Sequence, residues 1–226
     1  MRIKLVVFDI AGTTLQDNED VVANSFTTAL SNHGIELKEN DLSRVMGYRK
    51  IDAIKMILSE EGIVRTEEEI DQIHTEFLDL INKHYSTAEI HEIEGASDIF
   101  DALKSNGIKV AINTGFSKTT TSIIVDRMGW KKRGLIDAFI ASDEAANGRP
   151  AADMINKLME DLKIESSQDV AKVGDTPSDL MEGTNAKCGL TVGVLYGTHT
   201  REQLIEYAHD YLIKDIKELK SIILGH

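Results

Sequence analysis

The chain has 226 residues, 42% of them hydrophobic, and a formal net charge of −13. This length allows one sizeable core with a small accessory domain, and the acidic balance argues against nucleic acids and anionic membranes as main partners. The single cysteine, Cys188, excludes an internal disulfide and fits a reduced cytoplasm, where we expect the protein to act. We expect neither a secretion signal nor a membrane span, because Arg2 and Lys4 interrupt the apolar start and no apolar run is long enough.

Short apolar runs bounded by turns recur along the chain and predict buried parallel strands. They are Leu5–Asp9, Val110–Asn113, Phe139–Ala141, Val170–Gly174, Val192–Leu195 and, as an edge strand, Tyr211–Ile213. Helical patterns alternate with them, at Ser97–Asn106, Ser117–Met128, Ala151–Leu162, Pro177–Asn185 and Thr200–Tyr207. This alternation predicts an α/β fold with a parallel sheet that helices cover on both faces.

The stretch from residue 17 to residue 93 breaks this alternation and is typical of consecutive helices. Apolar residues recur there at helical spacing, as in Val22, Phe26, Ala29 and Leu30, and again in Ile51, Ile54, Ile57 and Leu58. Thr66-Glu67-Glu68-Glu69 is a capping-box pattern ahead of Ile70, Ile73, Phe77 and Leu80. In doubly wound folds, ligands bind beyond the carboxyl ends of the strands, so a helical insert after the first strand would lie over the site as a lid.

Polar side chains follow four of the predicted strands, directly or after a short loop. Asp9 ends the first strand, and the later segments are Asn113-Thr114-Gly115, Gly148-Arg149-Pro150 and Gly174-Asp175-Thr176-Pro177-Ser178-Asp179. Because such loops converge on one edge of a parallel sheet, we predict a single site there. Taken singly, Asp9 could be a turn residue, and Asp179 could be a first-turn acid favoured by the helix dipole.

The carboxylates of this set predict phosphoryl-transfer chemistry. Asp9 can attack phosphorus and form an aspartyl-phosphate, a covalent strategy known for carboxylates. Asp9 and Asp175 would repel each other without a metal ion, and carboxylates with a backbone carbonyl and waters suit Mg²⁺. Asp179 would orient a water on the metal or hold the neighbouring cation in position.

The remaining motif residues predict a pocket for the phosphoryl group. Thr114 offers a hydroxyl and Arg149 a permanent cation to the phosphoryl oxygens. Backbone N–H groups around Gly12 and Gly115 would add further donors. Such a pocket stabilises the charge that develops on the phosphoryl oxygens during the transfer.

Together, the four ordered motifs resemble those of the haloacid dehalogenase superfamily, and the helical insert stands where that superfamily places its cap. The resemblance covers nearly the whole chain. It implies a Rossmann-like, doubly wound core over 1–16 and 94–226 and an all-helical cap of the first type over 17–93. It also implies Mg²⁺ dependence, with the carbonyl oxygen of Ala11 as a metal ligand.

Ala11 narrows the reaction that we expect. Phosphatases and mutases of the superfamily carry an Asp two residues after the nucleophile, which protonates the leaving oxygen and later activates water. The phosphonatase branch, phosphonoacetaldehyde hydrolase and its relatives, has Ala at that position. Its motif resembles Asp9-Ile10-Ala11-Gly12-Thr13-Thr14 of this chain. The resemblance implies that Gly12 and Thr13 contact the phosphate. Thr114-Gly115-Phe116 and Gly148-Arg149-Pro150-Ala151 are similar to its later motifs, with Arg in place of the commoner Lys.

The resemblance extends into the insert. Met46-Gly47-Tyr48-Arg49-Lys50-Ile51-Asp52 is similar to the phosphonatase segment whose lysine forms a Schiff base with the aldehyde and draws electrons as the P–C bond breaks. That lysine would be Lys50, with Arg49 as a further substrate contact. Two other interpretations stay open, a solvated surface lysine and a basic residue that only touches the substrate anion. Phosphonatase has a His three residues after the lysine, where this chain has Ala53.

These observations favour a Mg²⁺-dependent hydrolase of a small organophosphorus compound, with P–C cleavage of phosphonoacetaldehyde or a related compound as the preferred reaction. The alternatives are a phosphatase of small phosphate monoesters, a haloacid dehalogenase that needs no metal, a non-catalytic binding protein on the same fold, and a purely structural acidic domain. The physiological substrate does not follow from the fold and nucleophile. For assembly, the expectation is either a monomer or a homodimer formed through the cap.

Overall fold

The computed structural model describes residues 3–17, 20–37 and 42–225. It contains one six-stranded sheet in the order β3-β2-β1-β4-β5-β6, in which every neighbouring pair of strands is parallel. The strands are β1 (Leu5–Phe8), β2 (Lys109–Thr114), β3 (Ala138–Ala141), β4 (Val170–Gly174), β5 (Leu190–Val194) and β6 (Tyr211–Ile213). The predicted parallel α/β sheet, with Tyr211–Ile213 at its edge, is therefore confirmed.

The strand register aligns the ends of the three central strands. Phe8 of β1 is opposite Ile112 of β2 on one side and Val173 of β4 on the other. Asp9, Asn113 and Gly174 therefore follow at the same level of the sheet, at the carboxyl edge where ligands of such folds bind.

Helices cover both faces of the sheet, as the alternation of strands and helices predicts. The core helices are α4 (Ala96–Ser105), α5 (Lys118–Met128), α6 (Asp153–Leu162), α7 (Pro177–Asn185) and α8 (Arg201–Leu204). Successive side chains of β1 point to opposite faces, so Val6 and Phe8 join one hydrophobic cluster while Leu5 and Val7 join the other.

Two core helices are shorter than their sequence patterns predict. α6 begins at Asp153 because residues 148–151 form a turn, in which the N–H of Ala151 donates to the carbonyl of Gly148. α8 ends at Leu204, since the N–H of Tyr207 closes a tighter turn onto the carbonyl of Leu204.

In the part of the insert that the structure describes, three α-helices lie between β1 and α4: α1 (Val21–Asn32), α2 (Lys50–Glu60) and α3 (Glu67–Thr87). The predicted capping box is present, since the N–H of Glu69 donates to Thr66 Oγ1 at 3.2 Å and the N–H of Thr66 donates to Glu69 Oε2 at 2.8 Å. The apolar faces of these helices meet, with the rings of Phe26 and Phe77 stacked at 4.4 Å between centroids.

The chain enters and leaves this helical insert through two adjacent segments. The N–H of Gln16 donates to the carbonyl of His91 at 3.0 Å, and the N–H of Ile93 donates to the carbonyl of Thr14 at 2.9 Å. These contacts agree with an insert over 17–93, although the exact boundaries stay a prediction. Residues 18–19 and 38–41 of that range, and 1–2 and 226 of the predicted core, lie outside the described residues.

Among the helices of the described residues, none combines the length and the apolar character that a membrane crossing requires.

Candidate active site

A small cavity lies at the carboxyl edge of the sheet, between the core and the helical insert. The residues lining it on the core side include Asp9, Ala11, Thr114, Gly115 and Thr176, and those on the insert side include Asp17, Val22, Met46, Gly47 and Lys50. Its volume is about 20 Å³ for the centre of a water-sized sphere, which is room for one or two water molecules. The structure is therefore closed, and a substrate needs the insert to move before it can enter.

Asp9 lies buried at the centre of this arrangement. Its Oδ1 is 2.6 Å from Arg149 Nη1, and its backbone is held by the carbonyl of Val173, which accepts a hydrogen bond from the Asp9 N–H at 3.0 Å. Burial raises the pKa of Asp9 to about 6, although the positive charge of Arg149 acts in the opposite direction. At neutral pH the carboxylate is ionised and can act as a nucleophile.

The turn after β1 fits closely against Asp175. Gly12 has a φ of 80°, and a Cβ on it would overlap the carboxylate of Asp175, so this position requires glycine. The hydroxyl of Thr13 donates to Asp175 Oδ1 at 2.9 Å. The sequence assigns Thr13 to phosphate binding, whereas here its hydroxyl orients a carboxylate.

The loop after β5 provides further contacts to Asp175. Its Oδ2 accepts a hydrogen bond from the N–H of Thr198 at 2.8 Å, and the neighbouring Gly197 leaves no room for a side chain beside it. Burial, together with the negative charges of Asp9 and Asp179, raises the pKa of Asp175 to about 7.

Asp179 lies in the first turn of α7 and also contacts two buried cations, whereas a contact with a metal-bound water stays a prediction. Its Oδ2 accepts hydrogen bonds from the N–H and hydroxyl of Thr176, which caps α7. Its Oδ1 lies 2.9 Å from Arg149 Nη1 and 2.9 Å from Lys172 Nζ. Burial alone would raise the pKa of Asp179, but these two cations outweigh it and hold the pKa below its usual value.

The three aspartates form a cluster that could hold a metal ion. Ligand atoms of Asp9, Asp175 and Asp179 lie within 4.8 Å of one another, and all three residues are buried. Asp179 Oδ1 faces both buried cations, at 2.9 Å from Arg149 Nη1 and 2.9 Å from Lys172 Nζ, and lies with the other two carboxylates. An oxygen-only set of this kind fits a hard divalent cation.

The balance of buried charges around the cluster also favours a bound cation. Four carboxylates, of Asp9, Asp175, Asp179 and Glu182, are buried beside two cations, Arg149 and Lys172. Lys50 is a third buried cation, on the insert side. Negative charge therefore exceeds positive charge in the buried site, and a divalent cation would offset that excess.

Arg149 is fully engaged by protein groups. Nε lies 2.9 Å from Glu182 Oε2, Nη1 contacts Asp9, and Nη2 donates to both the carbonyl and the side-chain oxygen of Asn113 at 2.7 Å. The structure thus places Arg149 against Asp9 and brings Thr114 to the same cavity. Contact of either residue with a phosphoryl group stays a prediction.

Lys172 and Glu182 are site residues that the sequence analysis missed. Lys172 Nζ lies 2.6 Å from Asn113 Oδ1 and 3.3 Å from Glu182 Oε2, and Asn113 Nδ2 donates to Glu182 Oε1 at 2.8 Å. Two signals could have revealed them. Lys172 is a charged residue inside the apolar strand Val170–Gly174, and Glu182 lies three residues after Asp179, on the same side of one helix.

Lys50 lies in the cavity and is not a solvated surface residue. It is 4% exposed, and its Nζ is 5.1 Å from the ring centroid of Phe116 and 5.6 Å from that of Phe26. Burial lowers the pKa of Lys50 to about 8, against the opposing effect of Asp9. The structure therefore excludes the surface interpretation of Lys50.

The neighbours of Lys50 on α2 have other surroundings. Arg49 is absent from the described lining of the cavity, and its Nη2 donates to the carbonyls of Ala145 and Ala146 in the core. Ala53 is buried one turn beyond Lys50 and offers no titratable group. Arg49 thus links the insert to the core in this closed structure, and its substrate contact stays a prediction.

The fold and the clustered acidic site place this chain among the Rossmann-like α/β enzymes. It belongs to the haloacid dehalogenase-like hydrolases, because that family's model matches residues 6–192.

Several relatives share a more specific name. A phosphonoacetaldehyde hydrolase of Parabacteroides distasonis is 32% identical over 213 residues, covering 88% of this chain and 78% of that protein. One of Bacillus mycoides is 27% identical over 262 residues, covering 99% of this chain and 96% of that protein. The crystal structure of a phosphonoacetaldehyde hydrolase-like protein from Oleispira antarctica has a TM-score of 0.86 at 23% identity, covering 100% of this chain and 92% of that one. That structure shares the fold.

Proposed function

We propose that this hydrolase acts on a small organophosphorus compound through an aspartyl-phosphate on Asp9, and that it cleaves the P–C bond of phosphonoacetaldehyde or a related phosphonoaldehyde. The observation that carries the proposal is the placement of Lys50. A buried amine with a lowered pKa lines the same closed cavity as the nucleophile, while the core position Ala11 has no acid to offer. The relatives named phosphonoacetaldehyde hydrolase support the same reaction.

Each residue has a defined part in this reaction. The neutral amine of Lys50 attacks the aldehyde carbon, and uptake of one proton with loss of water gives an iminium ion. Asp9 then attacks phosphorus, and the electron pair of the breaking P–C bond moves toward the iminium nitrogen to give an enamine. The hydroxyl of Thr114 donates to the phosphoryl oxygens during this transfer, and Arg149, which is hydrogen-bonded to Asp9, adds positive charge beside them.

We further propose Mg²⁺ as the cofactor, held by Asp9, Asp175, Asp179 and the carbonyl oxygen of Ala11. When bound, Mg²⁺ neutralises charge on the carboxylates and the phosphoryl group. The proposed partner is a small organophosphorus substrate, without nucleic acid or membrane, and the cytoplasm is the proposed site of action. The protein is proposed to work as a monomer or as a homodimer through the helical insert.

Borohydride trapping tests the proposal. We expect phosphonoacetaldehyde with borohydride to add the reduced aldehyde adduct to Lys50, as detected by mass spectrometry of peptides, and to abolish activity. Lys50→Arg keeps the positive charge but cannot form the iminium ion, so both the adduct and phosphate release should disappear. Lys55→Arg, at an exposed lysine of the same helix that pairs with Glu67, is the matched control and should retain both.

Other outcomes distinguish the alternatives. An unmodified Lys50 in an enzyme that stays active would exclude the iminium route, and phosphate-monoester hydrolysis that survives Lys50→Ala would favour a phosphatase. Turnover that persists in EDTA would favour metal-independent dehalogenase chemistry. An unchanged activity in Asp9→Asn would indicate a protein that does not use this site.

A further inference from the structure

The proposed reaction needs a proton donor that the expected positions do not supply. When the P–C bond breaks, the carbon keeps the electron pair and must be protonated, and the water that attacks the aspartyl-phosphate must lose a proton. Ala11 occupies the position of the core acid, and Ala53 occupies the position of the phosphonatase histidine. Neither alanine can transfer a proton, so another group has to.

The described lining of the closed cavity contains three titratable side chains: Asp9, Asp17 and Lys50. Asp9 becomes the acyl phosphate and Lys50 becomes the iminium ion, so both are covalently occupied when the proton is needed. We infer that Asp17 is the catalytic residue that transfers this proton. The inference depends on the aspartyl-phosphate chemistry proposed above and adds the acid and base that this chemistry lacks.

The position of Asp17 suits this role. It lies on the segment that leads from the core into α1, and its Oδ1 accepts a hydrogen bond from the N–H of Val21 at 3.0 Å, which fixes the carboxyl group. Asp17 also lines a larger neighbouring cavity of about 190 Å³, together with Gln16, Met46 and Tyr196. Because Asp17 is itself only partly buried, its carboxyl group can exchange protons with solvent.

The charges around Asp17 allow it to carry a proton. Burial raises the pKa of this carboxyl group, and the nearby Asp20 contributes in the same direction, whereas the hydrogen bond from the N–H of Val21 and the positive charge of Lys50 lower it. The net direction is upward, so more of the carboxyl stays protonated toward neutral pH than is usual for an aspartic acid.

The proton transfers balance over one turnover. The carboxyl of Asp17 gives its proton to the enamine carbon, which restores the iminium ion. Water then hydrolyses the iminium ion to acetaldehyde and the Lys50 amine, which returns the proton taken up when the iminium ion formed. A second water attacks the aspartyl-phosphate and its proton passes to the Asp17 carboxylate, so phosphate is released and both aspartates return to their starting states.

Asp17→Asn is the deciding variant. Asparagine still accepts the hydrogen bond from Val21 and caps a helix well, but it cannot donate an acidic proton. We expect kcat with phosphonoacetaldehyde to fall about 10²–10⁴-fold, the usual contribution of general acid–base catalysis. The matched control is Asp71→Asn, at an exposed carboxylate of α3 that is absent from the described lining of both cavities and should keep kcat.

A second substrate separates proton transfer from a structural effect. The nitrophenolate of p-nitrophenyl phosphate leaves without a proton, so Asp17→Asn should release one nitrophenol per site in a burst and then turn over slowly. Asp17→Glu should recover part of the lost kcat, because it restores a carboxyl group. A folding defect would lower the burst amplitude, and the activity that it removes would be the same fraction for both substrates.

The outcomes also separate this inference from the proposed function. If Asp17→Asn keeps kcat within about twofold of the parent and shows no burst, while Asp9→Asn is inactive, Asp17 has no proton-transfer role and the aspartyl-phosphate route stands. If Asp9→Asn is as active as the parent, the proposed function fails first.

Discussion

Replacing Lys172 by methionine removes one of the two core cations from a fully buried charge network. Its Nζ lies 2.9 Å from Asp179 Oδ1, 3.3 Å from Glu182 Oε2 and 2.6 Å from Asn113 Oδ1, and the side chain has no solvent exposure. In the parent, Lys172 and Arg149 balance Asp179 and Glu182. The variant leaves one buried carboxylate without a compensating charge.

The expected cost follows from that imbalance. Removing one partner of a buried ion pair costs about 3–5 kcal/mol, because the remaining charge stays desolvated and unpaired. A domain is typically stable by only about 5–15 kcal/mol, so Lys172→Met should remove a large share of the free energy of unfolding. Glu182→Gln should also cost stability, since Arg149 and Lys172 each lose a buried carboxylate partner.

The double variant Lys172→Met/Glu182→Gln provides the internal test. It removes one charge of each sign and leaves Arg149 facing Asp179. We therefore expect its loss of stability to be smaller than the sum of the two single losses, by a coupling energy of about 1–3 kcal/mol.

Urea unfolding followed by circular dichroism, in EDTA, measures these free energies. Lys157→Met, at a half-exposed lysine of α6, is the control and should change stability by about 0.5 kcal/mol or less. A Lys172→Met cost below about 1 kcal/mol, or strictly additive single losses, would refute the charge-balance reasoning.

Two further predictions concern the contact between insert and core, and the acidic cluster. Gly47→Ala should raise KM severalfold in steady-state kinetics, because the new Cβ overlaps Ser178 Oγ when the insert is closed; Gly34→Ala, also at positive φ but in open space, should leave KM unchanged. The second prediction concerns pH in the presence of EDTA. The pKa values of Asp9 and Asp175 are raised from 3.8 to about 6 and about 7, so between these values the folded protein binds more protons than the unfolded chain. The free energy of unfolding should therefore fall as the pH rises from about 4 to about 7. Urea unfolding across this range should show a smaller fall in Asp175→Asn, and an equal fall would contradict the assignment.

The parts of this protein that the sequence predicts are those with local signals. Apolar runs mark the strands, and the Thr66 capping box marks the start of α3, because each pattern acts within a few residues. The position of Asp9 at the end of β1 predicts its place in the site, since parallel strands end at one edge. α6 and α8 are shorter than predicted because local turns bound them. The spacing of apolar residues alone does not show where such turns lie.

The parts that the sequence leaves open depend on packing between distant segments. Whether Lys50 is buried depends on how α2 docks against Phe116 of the core, and no pattern within α2 determines that. The contacts of Lys172 with Glu182 depend on the packing of α7 against β4. The hydroxyl of Thr13 could serve either a phosphate or Asp175, and only the tertiary structure places it on the carboxylate.

The contacts of Arg149 have a consequence for how the chain folds. Its partners lie 140 residues away at Asp9, 36 away at Asn113 and 33 away at Glu182. Closing such long loops costs chain entropy before any contact compensates for it. The guanidinium finds all its partners only after β1, β2, β4 and α7 have assembled, so the catalytic edge is completed late in folding. A chain truncated before α7 would leave Arg149 without Glu182 and Asp179.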